Sequence, residues 1–497
     1  MLSRLPWQSL FAVIAGASLV LSFAPFGYWP LSMLSLMAFY RLIYQQPVRV
    51  QIYLHYAFAL GLFGFGITWI YVSIHTYGGA DKSLAMAMTG LFVLFWSLTF
   101  VPQGWLLGHI QKSQILPQLP WFAMTFVLGE WLRGWFLTGF PWLYVGYAHS
   151  DTWIGSWAPI GGVLLISFVV VAAAEILTKI LLQRQRLPVV ALTGLILATL
   201  ALNSIKFVSP DGALTMAGIQ ANLNQHTKWQ AGQFDANLTT HLQLMADLPR
   251  VDLVIWSEAS FTRFQDLASA ELSALDEAME ASQQGLIIGL PSRDEQGYYN
   301  GALGLGLAEG EYQKRHLVPF GEYVPLASWL RGTIQFFDLP MSFNQSGPAK
   351  QPPIVFRDRA LSLSICYEVA YPELVRQTAD EFSVLVTVSN DTWFGDSLGP
   401  FQHLQIAQMR ARELGRSLFR VTNNGITALV TPDGVVERQL PKNVADVLVA
   451  EVPLYRGRTP YGRVGQWPLL ILIGSGLLAF VYLKVKTQSL VSRRSRP

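Results

Sequence analysis

The chain has 497 residues, of which 52% are hydrophobic, 13% aromatic and only 13% charged, with a net charge of +3 and a mean hydropathy of +0.34. Soluble domains carry about 25% charged residues, so an ordinary soluble protein is excluded and an integral membrane protein expected. One cysteine excludes an intrachain disulfide framework, eight scattered histidines argue against a zinc site, and no basic patch with interleaved aromatics suggests nucleic-acid binding.

The apolar residues are unevenly spread. A bilayer-crossing helix needs about 20 mostly apolar residues. Candidates lie near 8–24, 27–44, 53–74, 84–107, 119–138, 159–181 and 187–205, with another near 466–484. Ser22-Phe23-Ala24 resembles a signal-peptide cleavage site, but Pro25 and the apolar stretch that follows argue for a retained helix. Glu130 and Arg133 interrupt the fifth stretch; at helical spacing they are expected to pair near the membrane surface. Arg4, Arg41, Arg49, Lys112, Lys179, Arg184 and Arg186 fall on one side of this arrangement, with the basic tail Lys484 to Arg496. The positive-inside rule makes that side cytoplasmic. Seven spans then place the next domain on the opposite face, and an eighth returns the tail.

Residues 212–455 read as a soluble α/β domain between membrane segments 1–211 and 456–497. β-rich runs appear at Leu214–Ile219, Leu253–Trp256, Leu286–Ile288, Leu361–Ile365, Val384–Val388 and Ala428–Thr431. Helical stretches such as Leu267–Gln283 and Gln402–Leu414 separate several of them, and Pro432-Asp433-Gly434 signals a hairpin turn. Strands alternating with helices predict a layered α/β domain.

Three polar residues stand at the ends of such elements. Val251 to Trp256 delivers Glu258, and open α/β sheets place sites at strand C-termini. The segment Tyr312 to Glu322 carries Lys314. The strand Leu361–Ile365 ends on the lone Cys366, just before a helix-like Tyr371-Pro372-Glu373. A helix N-terminus there is expected to lower the thiol's pKa and favour the thiolate. Taken singly, a buried apolar cysteine, a capping glutamate and a solvated lysine account for all three.

Together, Glu, Lys and Cys in this order resemble the nitrilase (carbon–nitrogen hydrolase) superfamily over residues 212–455. With the membrane belt added, the whole chain resembles the apolipoprotein N-acyltransferase family of bacterial inner membranes. Trp256-Ser257-Glu258, His316 to Glu322, Ile365-Cys366-Tyr367-Glu368 and Ser389 to Gly395 carry the match, with Gly399 to His403 and Thr422 to Thr427. The resemblance implies an αββα sandwich attached to a bundle of about eight transmembrane helices. It implies a catalytic set of Glu258, Lys314 and Cys366, supported by Glu322, Glu368 and Asn300, with Trp229, Tyr367 and Trp393 binding substrate. Neither cofactor nor metal is expected. The implied partners are a phospholipid acyl donor, a diacylglyceryl apolipoprotein acceptor and the bilayer, served by a monomer with a periplasmic catalytic domain and cytoplasmic termini. The apolar Phe336 to Met341 reads as either a lipid-facing lid or ordinary core. Two other readings remain: a membrane-tethered amidase with water as acceptor, and a transporter or scaffold carrying an inactive hydrolase-like domain.

Overall fold

The computed structural model of the chain describes residues 5–183, 186–332, 342–377 and 382–494; the Phe336 to Met341 segment lies outside them. The chain forms two compact units. One comprises Met1–Thr68, Ala87–Ile205 and Arg463–Pro497, the other Trp69–Met86 and Lys206–Gly462.

The first unit is helical. Among the described residues, four stretches are long and apolar enough to cross a membrane: Val48–Gly66, Lys82–Ser113, Trp153–Leu182 and Trp467–Leu490. Leu5–Val20, Pro30–Ile43 and Pro188–Asn203 are apolar and shorter. The last helix leaves Leu472, Leu478, Val481 and Tyr482 exposed, as a helix facing hydrocarbon does. Helices Leu5–Val20 and Val48–Gly66 meet through small residues. A Cβ on Gly16 would sit 1.9 Å from Phe58 O, and one on Gly61 2.0 Å from Val13 O, the close approach typical of membrane helix pairs.

Glu130 and Arg133 do not form the expected ion pair. Both are buried, and each turns to the irregular backbone of 142–145 instead. Glu130 Oε1 accepts from Val145 N at 2.8 Å, while Arg133 donates to Trp142 O and lies over the Tyr144 and Phe63 rings at 4.9 and 5.1 Å. Backbone away from a regular helix needs such partners where water is absent.

The second unit is built on two sheets. The strands are β1 (Ser209–Gln220), β2 (Leu253–Trp256), β3 (Gly285–Arg293), β4 (Tyr298–Gly306), β5 (Ala308–Glu309), β6 (Glu311–Gln313) and β7 (Ile354–Phe356). They continue with β8 (Arg359–Ile365), β9 (Val384–Ser389), β10 (Leu418–Thr422), β11 (Ala428–Val430), β12 (Val436–Gln439) and β13 (Asp446–Arg456). One sheet has the order β13-β1-β2-β3-β4-β6, the other β12-β11-β10-β9-β8-β7-β5. Each has a parallel centre, β1-β2-β3 in the first and β8-β9-β10 in the second, flanked by antiparallel edges.

The apolar run at β2 has no polar alternation because both of its faces are covered. Leu253 and Ile255 enter a core shared with Leu361, Leu363, Val384 and Val386 of the second sheet. Val254 and Trp256 enter another, with Leu272, Leu275 and Met279 of helix Ser269–Ala281 and Phe234 of helix Gln233–Ala246. Helix Gly399–Leu414 is buried along almost its whole length. The parallel strands therefore end together, and β2, β8, β9 and β10 lead directly into Glu258, Cys366, Asn390 and Asn423.

Candidate active site

Lys314 follows β6 and is buried. Its Nζ lies 2.8 Å from Glu322 Oε1 and 3.3 Å from Glu258 Oε1. Asn300, on β4, bridges the same two carboxylates, with Nδ2 2.8 Å from Glu258 Oε1 and 3.1 Å from Glu322 Oε1. The other oxygen of each carboxylate accepts a backbone N–H, Asn390 N on Glu258 and Val318 N on Glu322, both at 2.8 Å. Both carboxylates are thus fixed at both oxygens, which sets side-chain orientation as well as charge. Burial alone would lower the pKa of Lys314; Glu258 and Glu322 outweigh it and hold the ammonium protonated, well above the ordinary lysine value.

Cys366 begins a short 3₁₀ turn over Cys366–Ala370 and has φ 53°, a left-handed conformation that is costly outside glycine. Its thiol differs from the sequence-based expectation. Burial pushes its pKa well above the ordinary thiol value, and Glu258 and then Asp391 add to this, while Lys314 and a hydrogen bond with Ser389 oppose it. The helix that follows, Pro372–Arg376, has only five residues; two nearby carboxylates and the loss of water decide the outcome. With its pKa raised in this way, Cys366 is a thiol, not a thiolate.

Glu368 is fully buried and grips backbone rather than the lysine ammonium. It accepts from Ile365 N at 2.8 Å, Arg315 N at 2.7 Å, His316 N at 3.2 Å and the Tyr312 hydroxyl at 3.0 Å. The residue before Cys366 and the residues after Lys314 are tied to one carboxylate. Tyr367 is buried beside Tyr371, ring centroids 5.2 Å apart. Trp393 follows β9 and meets Tyr77 edge-on at 5.8 Å, and its carbonyl accepts from Ser73 Oγ at 2.8 Å. Trp229 is 45% exposed on the turn after β1. Glu258, Lys314, Glu322 and Asn300 are thus hydrogen-bonded in one cluster, Cys366 and Glu368 act on Lys314 electrostatically, Trp229 and Trp393 lie on loops that follow β1 and β9, and Tyr367 adjoins Cys366 in the chain.

Sequence reasoning did not single out a second network beside Cys366. Asp391 accepts from Arg420 at 2.6 Å and from Ser389 Oγ at 2.7 Å. Burial works against its charge, but Arg420 and His403 more than offset it and hold its carboxyl well below the usual range. Burial, then Arg420, pushes the pKa of His403 down, while Asp391 opposes the shift. Arg420 Nη2 lies 3.0 Å from His403 Nδ1 and can only donate. His403 Nδ1 also lies 3.0 Å from Asp391 Oδ1 and Nε2 lies 3.1 Å from the Cys366 carbonyl, so the ring ties the Asp391–Arg420 pair to the strained residue. Asp391 and His403 fall within stretches that carry the family resemblance, Arg420 inside β10; all three are polar residues beside apolar strands, the one signal that could have marked them.

A cleft of about 250 Å³ lies by these strand ends, lined by Tyr77, Asn222, Asn224, Gln225, Thr392 and Asn424 among others. Gln225 Oε1 accepts from Asn390 Nδ2 at 2.8 Å, so one residue separates the cleft from Glu258. No cluster suited to a metal ion occurs among the described residues.

Comparison with known proteins accounts for both units. Residues 15–176 match the apolipoprotein N-acyltransferase N-terminal domain, and residues 215–459 match carbon–nitrogen hydrolase. An apolipoprotein N-acyltransferase from Azotobacter vinelandii is 41% identical over 96% of this chain and 96% of its own length. One from Pseudomonas putida is 40% identical over 96% and 98%, and one from Vibrio parahaemolyticus 34% identical over 95% and 96%. Among solved structures, a carbon–nitrogen hydrolase superfamily protein from Xanthomonas campestris aligns with 49% of this chain and 91% of its own, at 16% identity and a TM-score of 0.37.

Proposed function

The chain belongs to the apolipoprotein N-acyltransferase family, and from that premise we propose that it moves an acyl chain from a phospholipid, through a thioester on Cys366, to the α-amine of a diacylglyceryl cysteine at a lipoprotein's N-terminus. The observation that carries this reading is the buried Cys366 thiol, whose pKa Glu258 and Lys314 both perturb. A neutral thiol needs a base at the moment of attack, and Glu258 is a carboxylate held in place by Asn300, Lys314 and Asn390 N.

Cys366 Sγ attacks the ester carbonyl as its proton passes to Glu258. The tetrahedral intermediate collapses, the carbon–oxygen bond breaks, and Glu258 returns the proton to the leaving lysophospholipid oxygen. The acceptor amine then attacks the thioester and gives its proton to Glu258. The carbon–sulfur bond breaks, and the departing sulfur recovers that proton. Base catalysis of this kind is worth about 10²–10⁴ in rate. Lys314, kept cationic, stabilises the oxyanion of each intermediate, a contribution of about 10²–10³. Glu322 keeps that cation aimed, and Asn300 fixes its distance from the base. Glu368 holds the backbone on both sides of the site, while Trp229, Tyr367 and Trp393 line the approach for the acyl and acceptor groups.

Packing of the two sheets through a shared core, with helices outside, supports an αββα layering of the catalytic unit. The basic residues between the apolar helices support about eight spans, an inner-membrane location, a periplasmic catalytic domain and cytoplasmic termini. The protein acts as a monomer.

The test is intact mass spectrometry of purified protein incubated with phosphatidylethanolamine, beside Cys366→Ala. The expected result is one added acyl chain, removed by hydroxylamine, absent in the variant and discharged by a diacylglyceryl lipopeptide. A wild-type protein that stays unacylated under every lipid condition overturns the reading.

A further inference from the structure

Lys228, on the turn after β1, is only 2% exposed. Its Nζ donates to the carbonyl of Ala259 at 3.3 Å. Among the described residues, Glu258 is the one carboxylate that acts on it electrostatically, and no ion pair within 4 Å satisfies it. The other groups facing it are the Trp229 ring, 5.6 Å from Nζ, and His241 of helix Gln233–Ala246, whose pKa burial lowers first and Lys228 lowers further. A buried ammonium without a close counter-ion is costly. A methionine would fill the same space at no such cost, so packing does not explain a lysine here.

Its placement does. Ala259 follows Glu258 and sits at φ 50°, another left-handed non-glycine residue, so the Lys228 hydrogen bond fixes the turn that carries the base. Lys314 is shared between two carboxylates and, on the mechanism above, serves the oxyanion. Glu258 is asked to take up and release a proton twice in each cycle, and Lys228 is a second cation beside it.

We infer that Lys228 is a positioning residue for the catalytic base: its ammonium anchors the Glu258–Ala259 turn and its charge restores Glu258 to the carboxylate between proton transfers. The inference rests on Glu258 being the base of the thioester mechanism. A neutral Lys228 no longer supplies that charge, and burial drops its pKa to about 8 despite the opposing pull of Glu258, so the device operates at neutral pH.

The experiment is single-turnover acylation of Cys366 by phosphatidylethanolamine from pH 5 to 9, for wild type, Lys228→Met and Lys228→Gln, with thermal unfolding of each. The expected result for Lys228→Met is a midpoint equal to or above wild type, and an acid limb of the rate profile displaced to higher pH, the direction in which losing a nearby positive charge moves a carboxylate base. Lys228→Gln keeps a donor for Ala259 O but not the charge, and should show the same displaced limb with a smaller loss of maximal rate. Wild-type profiles in both variants overturn the proposal. So does a lower unfolding midpoint with an undisplaced profile, which marks a merely structural lysine. If Lys228→Met does not fold, Lys228→Gln decides alone by its acid limb. Failure of the thioester reading is distinct, because the wild-type protein itself would then form no acyl adduct.

Discussion

Lys228→Met should stabilise the α/β unit at neutral pH and remove part of its pH dependence. Burial drops the pKa of this lysine from the ordinary 10.5 to about 8, against the attraction of Glu258. The folded protein therefore binds fewer protons than the unfolded chain between those values, and stability rises with pH across that window. The penalty is complete below about pH 8, fades as pH rises, and vanishes above the unfolded value. At about 1.4 kcal/mol for each pH unit, the drop amounts to roughly 3 kcal/mol, of which roughly 2 kcal/mol is recovered by pH 9.5. Glu258 is not orphaned by the substitution, since Lys314, Asn300 and Asn390 N remain on its oxygens. Pulse proteolysis across a urea series at pH 7 and 9.5, on both proteins in the same detergent, isolates the effect, because every other titrating group is common to the two. Wild type should gain roughly 2 kcal/mol on the variant over that interval. Parallel pH responses, or a variant less stable at pH 7, refute the reasoning.

Glu258→Gln removes a charge that raises the thiol's pKa, so Cys366 should react faster with iodoacetamide at pH 7 while acyl transfer falls by about 10²–10⁴; slower alkylation would mean a resting thiolate paired with Lys314. Arg420→Met leaves Asp391 buried without its cation and should cost about 3–5 kcal/mol, seen as a lowered urea midpoint; an unchanged midpoint would remove Arg420 from the network. At Gly289 an added Cβ would lie 2.5 Å from Ser257 O and 2.9 Å from Glu258 Cα. Gly289→Ala should therefore move the base and cut acylation by about a hundredfold, the scale of an ångström's misplacement, and full activity in that variant would contradict the close packing behind Glu258.

Much of the catalytic unit was legible because its central strands are covered on both faces. Apolar runs at β2 and β9 and the alternating run at β8 announced themselves, and the residue that follows such a run is placed at the strand's C-terminal end. β4, β10 and β13 were not read. β4 is rich in glycine, β10 carries the buried Arg420, and β13 is exposed on one face at Glu451 and buried on the other at Val452, so none shows a plain apolar signal. Lys228 and His403 could not be singled out from sequence because what sets them apart is what surrounds them once strands distant in sequence end together. The thiol's protonation was misjudged for a related reason. A local rule about helix ends saw the short turn after Cys366, whereas the controlling charges arrive from residues 258 and 391. The pairing of Glu130 with Arg133 failed likewise, since helical spacing cannot reveal that the 142–145 backbone competes for both.

A protonated nucleophile suits the compartment proposed for it. A lone cysteine facing an oxidising space is vulnerable in its thiolate form, which is the species that oxidants and disulfides attack. Burial, Glu258 and Asp391 hold Cys366 as a thiol, and on the proposed mechanism Glu258 accepts its proton only as the sulfur meets a carbonyl. The same carboxylate therefore protects the resting site and activates the working one. Lys314 can then remain a pure cation for the oxyanion, with no standing thiolate to neutralise. This division accounts for the carboxylates and lysines that gather around Glu258 and Lys314. On the proposed mechanism Glu322 secures the charge of Lys314, Lys228 secures the charge of Glu258, and the proton travels only between Glu258 and the reacting atoms.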